Sequence, residues 1–120
     1  MFYFSELINK KVVGENKKKI GKLKDLIFLA EDAPTITKIL VKKGTRKPFA
    51  IEIKSIKEIG KAIVILKDYE KKEVLENEFS LAHSLLNKQI IDVAGGKVVR
   101  VNDVAIQDKE DKSAYYIAGV

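Results

Sequence analysis

The chain carries a copy of part of itself. At a fixed offset of 78 residues, Leu7 to Phe28 (LINKKVVGENKKKIGKLKDLIF) aligns without a gap on Leu85 to Ile106 (LLNKQIIDVAGGKVVRVNDVAI). Leu7/Leu85, Asn9/Asn87, Lys10/Lys88, Lys19/Lys97 and Asp25/Asp103 are identical, and the apolar positions Val12/Ile90, Val13/Ile91, Ile20/Val98, Leu23/Val101 and Leu26/Val104 correspond. A match that keeps the buried-type positions in step marks a duplicated supersecondary unit, and each copy must bury its own apolar face. The correspondence runs on to Ile39/Ile117, and Val120 falls opposite Lys42, so the second copy stops well short of the first.

Within each copy a short β-branched run (Lys10 to Val13, Lys88 to Ile91) meets a turn and then a longer apolar segment, the pattern of a hairpin. Asn16-Lys17 and Gly95-Gly96 mark the two tips, with Asn and Gly suited to left-handed conformations. Ile20, Leu23 and Leu26 recur every third residue, as in a helix, but the Val-rich counterpart Val98, Val99, Val101, Val104 favours a strand. The alternation then slips near Asp25 and Asp103, which reads as a β-bulge with structural aspartates.

Further strands are expected at Ile36 to Lys42, Pro48 to Ile53 and Ala62 to Leu66, with Gly44-Thr45-Arg46-Lys47 as a turn. Ile20, Leu23, Val41, Phe49, Ile51, Ile53 and Val64 form the expected core. Asp68 reads as the N-cap of a helix from Tyr69 to about Ala82, whose stripe Leu75, Phe79, Ala82, Leu86 would cover the barrel. The resulting division is a first repeat over 1–67, a helical linker over 68–84 and an incomplete second repeat over 85–120.

Chemistry narrows the function. The 120 residues include no Cys and a single His, His83, so no thiol nucleophile, disulfide or cysteine metal site exists, and no catalytic triad can be completed around that histidine. His83 is expected to serve packing or the surface, and Asp108, Glu110 and Asp111 a solvated tip without the spacing of a calcium loop. No nucleotide-binding glycine motif is present. The expectation is a non-enzymatic chain with no cofactor and no metal. No signal peptide or apolar run of about 20 residues is seen, which fits a cytoplasmic protein without direct membrane insertion.

The formal charge of +6 is uneven: residues 1–67 carry net +9, residues 68–82 carry −3, and residues 83–120 balance. Lys17, Lys18, Lys19 and Lys22 are the candidate polyanion contacts. No aromatic residue interleaves their run as a base-stacking site would require, so nucleic acid is disfavoured as a partner.

The segments VVGENKKKIGKLKDLIF and LLNKQIIDVAGGKVVRVNDVAI together resemble the PRC-barrel family, known from the photosynthetic reaction-centre H subunit and the C-terminal domain of the ribosome-maturation factor RimM. LLNKQIID and VVRVNDV are closer to the tandem PRC-barrel region that precedes MgtE-type N-terminal and CBS domains in bacterial proteins. The resemblance implies a mostly β fold: one small PRC-type barrel plus a truncated copy, joined by one helix. It also implies a non-catalytic interaction or regulatory module that docks on other proteins or on downstream domains, here of a magnesium-transporter-like protein. The alternative it offers is RNA or ribosome-assembly binding of the RimM type through the Lys-rich first repeat. The truncated copy leaves an edge with apolar Ile90, Val99, Val101 and Ile117, a candidate interface for its own first barrel or for a second chain in a homodimer.

Overall fold

A computed structural model describes residues 2–30, 34–84, 89–91, 98–100, 104–108 and 115–119. Strand β1 (Phe2–Tyr3) leads into the one-turn helix α1 (Phe4–Leu7), whose start is closed by the Tyr3 N–H donating to Glu6 Oε1 at 2.9 Å. The barrel strands follow: β2 (Lys11–Gly14), β3 (Lys19–Leu29), β4 (Thr35–Lys42), β5 (Phe49–Glu52), a 3-10 turn (Ile53–Ser55), β6 (Ile56–Ile59) and β7 (Ile63–Ile65). After them come β8 (Lys71–Lys72), β9 (Glu78–Ser80), the short helix α2 (Leu81–Ser84), β10 (Gln89–Ile91), β11 (Val98–Arg100), β12 (Ala105–Asp108) and β13 (Tyr115–Gly119).

The long antiparallel pair β3–β4 is the spine. Near one end its outer edges pair with β2 and β5, and β2 pairs in parallel with β7. Toward the other end they pair with β9 and β13. Side chains alternating inward from these strands make one core, in which Val12, Leu23, Val41, Ile51 and Ile65 are fully shielded. Phe4 and Leu7 of α1 plug the same core, and so do Val104 and Ile106 from the second copy, tied in by the Phe4 N–H donating to the Val104 carbonyl at 2.9 Å.

Leu23, Val41 and Ile51 are buried as expected, whereas Ile20, Phe49, Ile53 and Val64 are only half-buried. Around Val64 the choice of face was one residue out: Ile63 and Ile65 point inward because Val12, buried on β2, stands opposite Ile63. A run of three apolar residues has no polar neighbour to mark the inward phase, so pairing decides it.

Asp25 lies where the expected slip occurs, with the β3–β4 register shifting between Leu23 and Asp25. Its buried carboxylate accepts from the Leu26 N–H at 2.7 Å, from the Ala82 N–H at 3.2 Å and from the Ser80 hydroxyl. Asp103 lies outside the described residues.

The helix expected from Tyr69 to Ala82 is corrected. Only Leu81–Ser84 is helical; Lys71–Lys72 pairs with β5, and Glu78–Ser80 pairs with Ile27–Leu29 of β3. Edge pairing on β3 satisfies backbone groups that a helix laid over the sheet would leave open, and it outweighs the helical spacing of Leu75 and Phe79. Leu75 is 57% exposed, and Phe79 rests against Phe28 with ring centroids 6.0 Å apart.

The first hairpin register recurs at the 78-residue offset. Lys11 opposite Lys22 and Val12 opposite Gly21 become Gln89 opposite Arg100 and Ile90 opposite Val99. The second hairpin does not follow: Phe28 pairs with Ile36, but Ile106 pairs with Ile117 rather than with residue 114. β13 answers to two neighbours at once, β12 on one edge and Thr35–Ile36 of β4 on the other. Val101 lies outside the described residues.

Candidate functional site

Three connections meet at one end of the barrel, and each brings lysine or arginine. The β2–β3 turn and the start of β3 contribute Lys18 and Lys19, the β4–β5 turn Lys43, Arg46 and Lys47, and the stretch from the end of β7 to the start of β8 Lys67 and Lys71. Together they line a cleft of about 370 Å³. Its floor holds the half-buried rings of Phe49 and Tyr69.

Local geometry sets each rim. In the β2–β3 turn the Lys17 N–H donates to the Gly14 carbonyl and Asn16 Oδ1 accepts from the Lys18 N–H, which closes the reversal beside Lys18 and Lys19, both of which line the cleft. The residue in the left-handed region is Lys17, at φ 66°, and not Asn16. On the facing rim Gly44 takes φ 58° and the Arg46 N–H donates to the Lys43 carbonyl.

Among the described residues the only acid in the cleft wall is Glu15, and both of its oxygens are engaged. One lies 3.4 Å from Lys57 Nζ and the other accepts from the Lys67 N–H at 3.2 Å. Among the described residues none of the seven cleft cations has an ion-pair partner. Lys71 Nζ instead stands 4.4 Å from the centre of the Phe49 ring, a cation–π contact.

The two residues of β8 divide by the strand's pleat. Lys71 faces the cationic cleft, while Lys72 lies 3.0 Å from Glu70 and 3.6 Å from Glu52, in a neighbouring hollow where acids and lysines are mixed. There the Glu70 carboxylate raises the Lys72 ammonium above its ordinary pKa, and Lys54 draws the Glu52 carboxyl below the usual range against slight desolvation. Charge is met on one face of β8 and unmet on the other.

A second hollow of about 340 Å³ adjoins the cleft and shares Lys19 and Lys43 with it; Lys22, Lys24 and Lys42 complete its charge. Of the four lysines singled out from sequence, Lys18 lines the first cleft, Lys22 the second and Lys19 both. Lys17 lines neither. Lys43, Arg46, Lys47, Lys67 and Lys71 were missed, because only folding brings those segments beside the β2–β3 turn. The Gly44-Thr45-Arg46-Lys47 turn was the available signal. Nothing in residue order places an aromatic among the lysines, whereas Phe49 reaches them from β5 and Tyr69 from the connection between β7 and β8. The candidate interface residues Ile90, Val99 and Ile117 lie on β10, β11 and β13.

Among the described residues, no group of three or more His, Asp or Glu is placed to hold a metal ion. Within the same residues no helix is long and apolar enough to cross a membrane.

A small barrel built around one β3–β4 spine, with a cationic end, defines a class of scaffold rather than a particular chemistry. The PRC-barrel domain model matches residues 1–72, and the chain belongs to the PRC-barrel family, a family of non-catalytic modules. No curated protein matches the chain. The matched span ends at β8, so it takes in all three segments of the cleft and leaves β9 outside.

Proposed function

We propose that this chain is a non-catalytic docking module that recognises acidic surfaces, on another protein or on a further domain of its own polypeptide, through the cleft at the end of the first barrel. The observation that carries the reading is the convergence of seven cations from three chain segments, none of them ion-paired among the described residues, beside the single acid Glu15, whose oxygens are already engaged. Surface lysines scattered for solubility find counter-charges or spread apart; these are held together, which raises the local potential for an anionic partner. The likeness of LLNKQIID and VVRVNDV to chains that precede MgtE-type and CBS domains supports a regulatory partner in cis.

RNA is the competing reading, and Phe49 and Tyr69 beside the cations favour it. Against it, Lys71 occupies a face of the Phe49 ring that a base would need, and Arg46 is the only guanidinium among the seven cations. Fluorescence anisotropy with a labelled glutamate-rich peptide tests the proposal. Binding should weaken steeply with added salt and be lost in Lys47→Glu/Lys67→Glu, while a neutral peptide of equal length should not bind. Binding that ignores this double charge reversal would overturn the cleft as the docking site.

A further inference from the structure

The first cleft does not end at Lys19 and Lys43. Both residues also line the second hollow, where Lys22 and Lys42 are opposite each other across β3–β4. Lys22 in turn is opposite Lys11 across β2–β3, so three lysines stand in register on three adjacent strands. Like charges directly opposite one another destabilise a sheet, and no acid among the described residues pairs with any of the three. A register shift between Val12 and Val13 keeps Lys19 exposed along with Lys22 and Lys24, although strict alternation from Lys22 would turn Lys19 inward.

We infer that the two hollows form one track that takes an extended acidic segment of polypeptide. The inference rests on the docking reading above and specifies its ligand. Five strand steps separate Lys19 from Lys24, a run of about 17 Å at the strand rise, so a short acidic cluster meets one hollow while a longer extended segment spans both. A row of amine point charges suits carboxylates set along a flexible chain. Arg46 is the one guanidinium along the track, and Lys71 stands over the Phe49 ring, which weakens the case for phosphate and base.

The test compares labelled tri-glutamate and deca-glutamate by anisotropy at low salt, on the whole chain. The longer peptide should bind roughly tenfold tighter than the shorter because it engages both hollows. Lys22→Gln/Lys42→Gln should abolish that gain and leave tri-glutamate binding within about twofold of wild type. Lys47→Gln/Lys67→Gln should weaken both peptides. Lys54→Gln/Lys61→Gln removes the same charge elsewhere and should change neither by more than about twofold. If the length gain survives in Lys22→Gln/Lys42→Gln, the track is wrong and the cleft stands; if Lys47→Gln/Lys67→Gln leaves both peptides unaffected, the cleft itself falls. A single-stranded oligonucleotide of ten phosphates that outbinds deca-glutamate and follows the same variants would replace the acidic polypeptide with nucleic acid. Thermal melts monitored by circular dichroism confirm that each variant folds, and Lys22→Gln/Lys42→Gln should melt no lower than wild type because it removes repulsion.

Discussion

Toward the end of the β3–β4 pair that meets β9, Lys38 is buried and its ammonium lies 2.6 Å and 2.8 Å from the two Glu78 oxygens, with the Thr37 hydroxyl donating to the same carboxylate. At the opposite end, Lys22 faces Lys11 and Lys42, and among the described residues no acid pairs with any of the three. The same two strands therefore complete their charges where β9 covers them and leave them open where they meet solvent. A buried ammonium without a carboxylate would be prohibitively costly, whereas exposed lysines can stand together at the cost of modest screened repulsion. Completed charge belongs to structure here, and open charge to the face proposed for docking.

The sharpest way to break this contrast is Lys38→Met. It leaves Glu78 buried without its partner and should cost about 3–5 kcal/mol in denaturant titration, while Lys38→Met/Glu78→Leu should recover most of that. A loss below about 1 kcal/mol for the single variant would mean that this end is no more dependent on charge than the cationic one.

Acid should act on the same pair more gently. Burial pushes the Glu78 carboxyl up, but the Lys38 and Thr37 hydrogen bonds, the Leu75 N–H and the Lys38 charge outweigh it and hold the pKa below the ordinary 4.5. The folded chain thus favours the ionised form. Its contribution is fully present above pH 4.5 and is lost as pH falls through the lower folded value. Stability measured from pH 7 downward should fall in that window, and Glu78→Gln should flatten the fall.

Gly21→Ala probes how closely the two strands approach at the cationic end. An added Cβ would lie 2.8 Å from both the Lys42 carbonyl oxygen and Val41 Cγ1, so the strands must part, at a cost of about 1–3 kcal/mol. A neutral substitution would show that the spacing of Lys22 and Lys42 is not held by this contact.

The smallest effect should have the opposite sign. Lys22→Glu sets a carboxylate between Lys11 and Lys42 and should raise stability by about 0.5 kcal/mol at low ionic strength. The gain should vanish in about 1 M salt, where the screening length is near 3 Å. No gain at low salt would mean that the three lysines do not feel one another.

Much of the architecture was legible in residue order. The slip at Asp25 showed in the apolar phase, and the repeat anticipated the register of β10–β11, because hairpin pairing is local. The segment after Asp68 was misread, since its apolar spacing of four and three fits a helix and nothing in it announces that Ile27–Leu29 has a free edge to fill. The site was legible only in part: Lys18, Lys19 and Lys22 fall in one run, but Lys43, Arg46, Lys47, Lys67 and Lys71 reach the cleft from distant segments.

By itself, then, the sequence determined the mostly β character, the family, the position of the bulge and the absence of thiol chemistry, all of which follow from residue types and short-range periodicity. Tertiary structure alone decided which lysines share a cleft, which one is buried against Glu78, and that Ile63 and Ile65 rather than Val64 face the core. It also decided the fate of the repeat. Val99 stands where the first copy has Gly21, and β10–β11 forms a sheet of its own, while β12 and β13 join the first barrel. These outcomes depend on which edges and charges remain unsatisfied once the spine has formed, and that is a property of strands far apart in the chain.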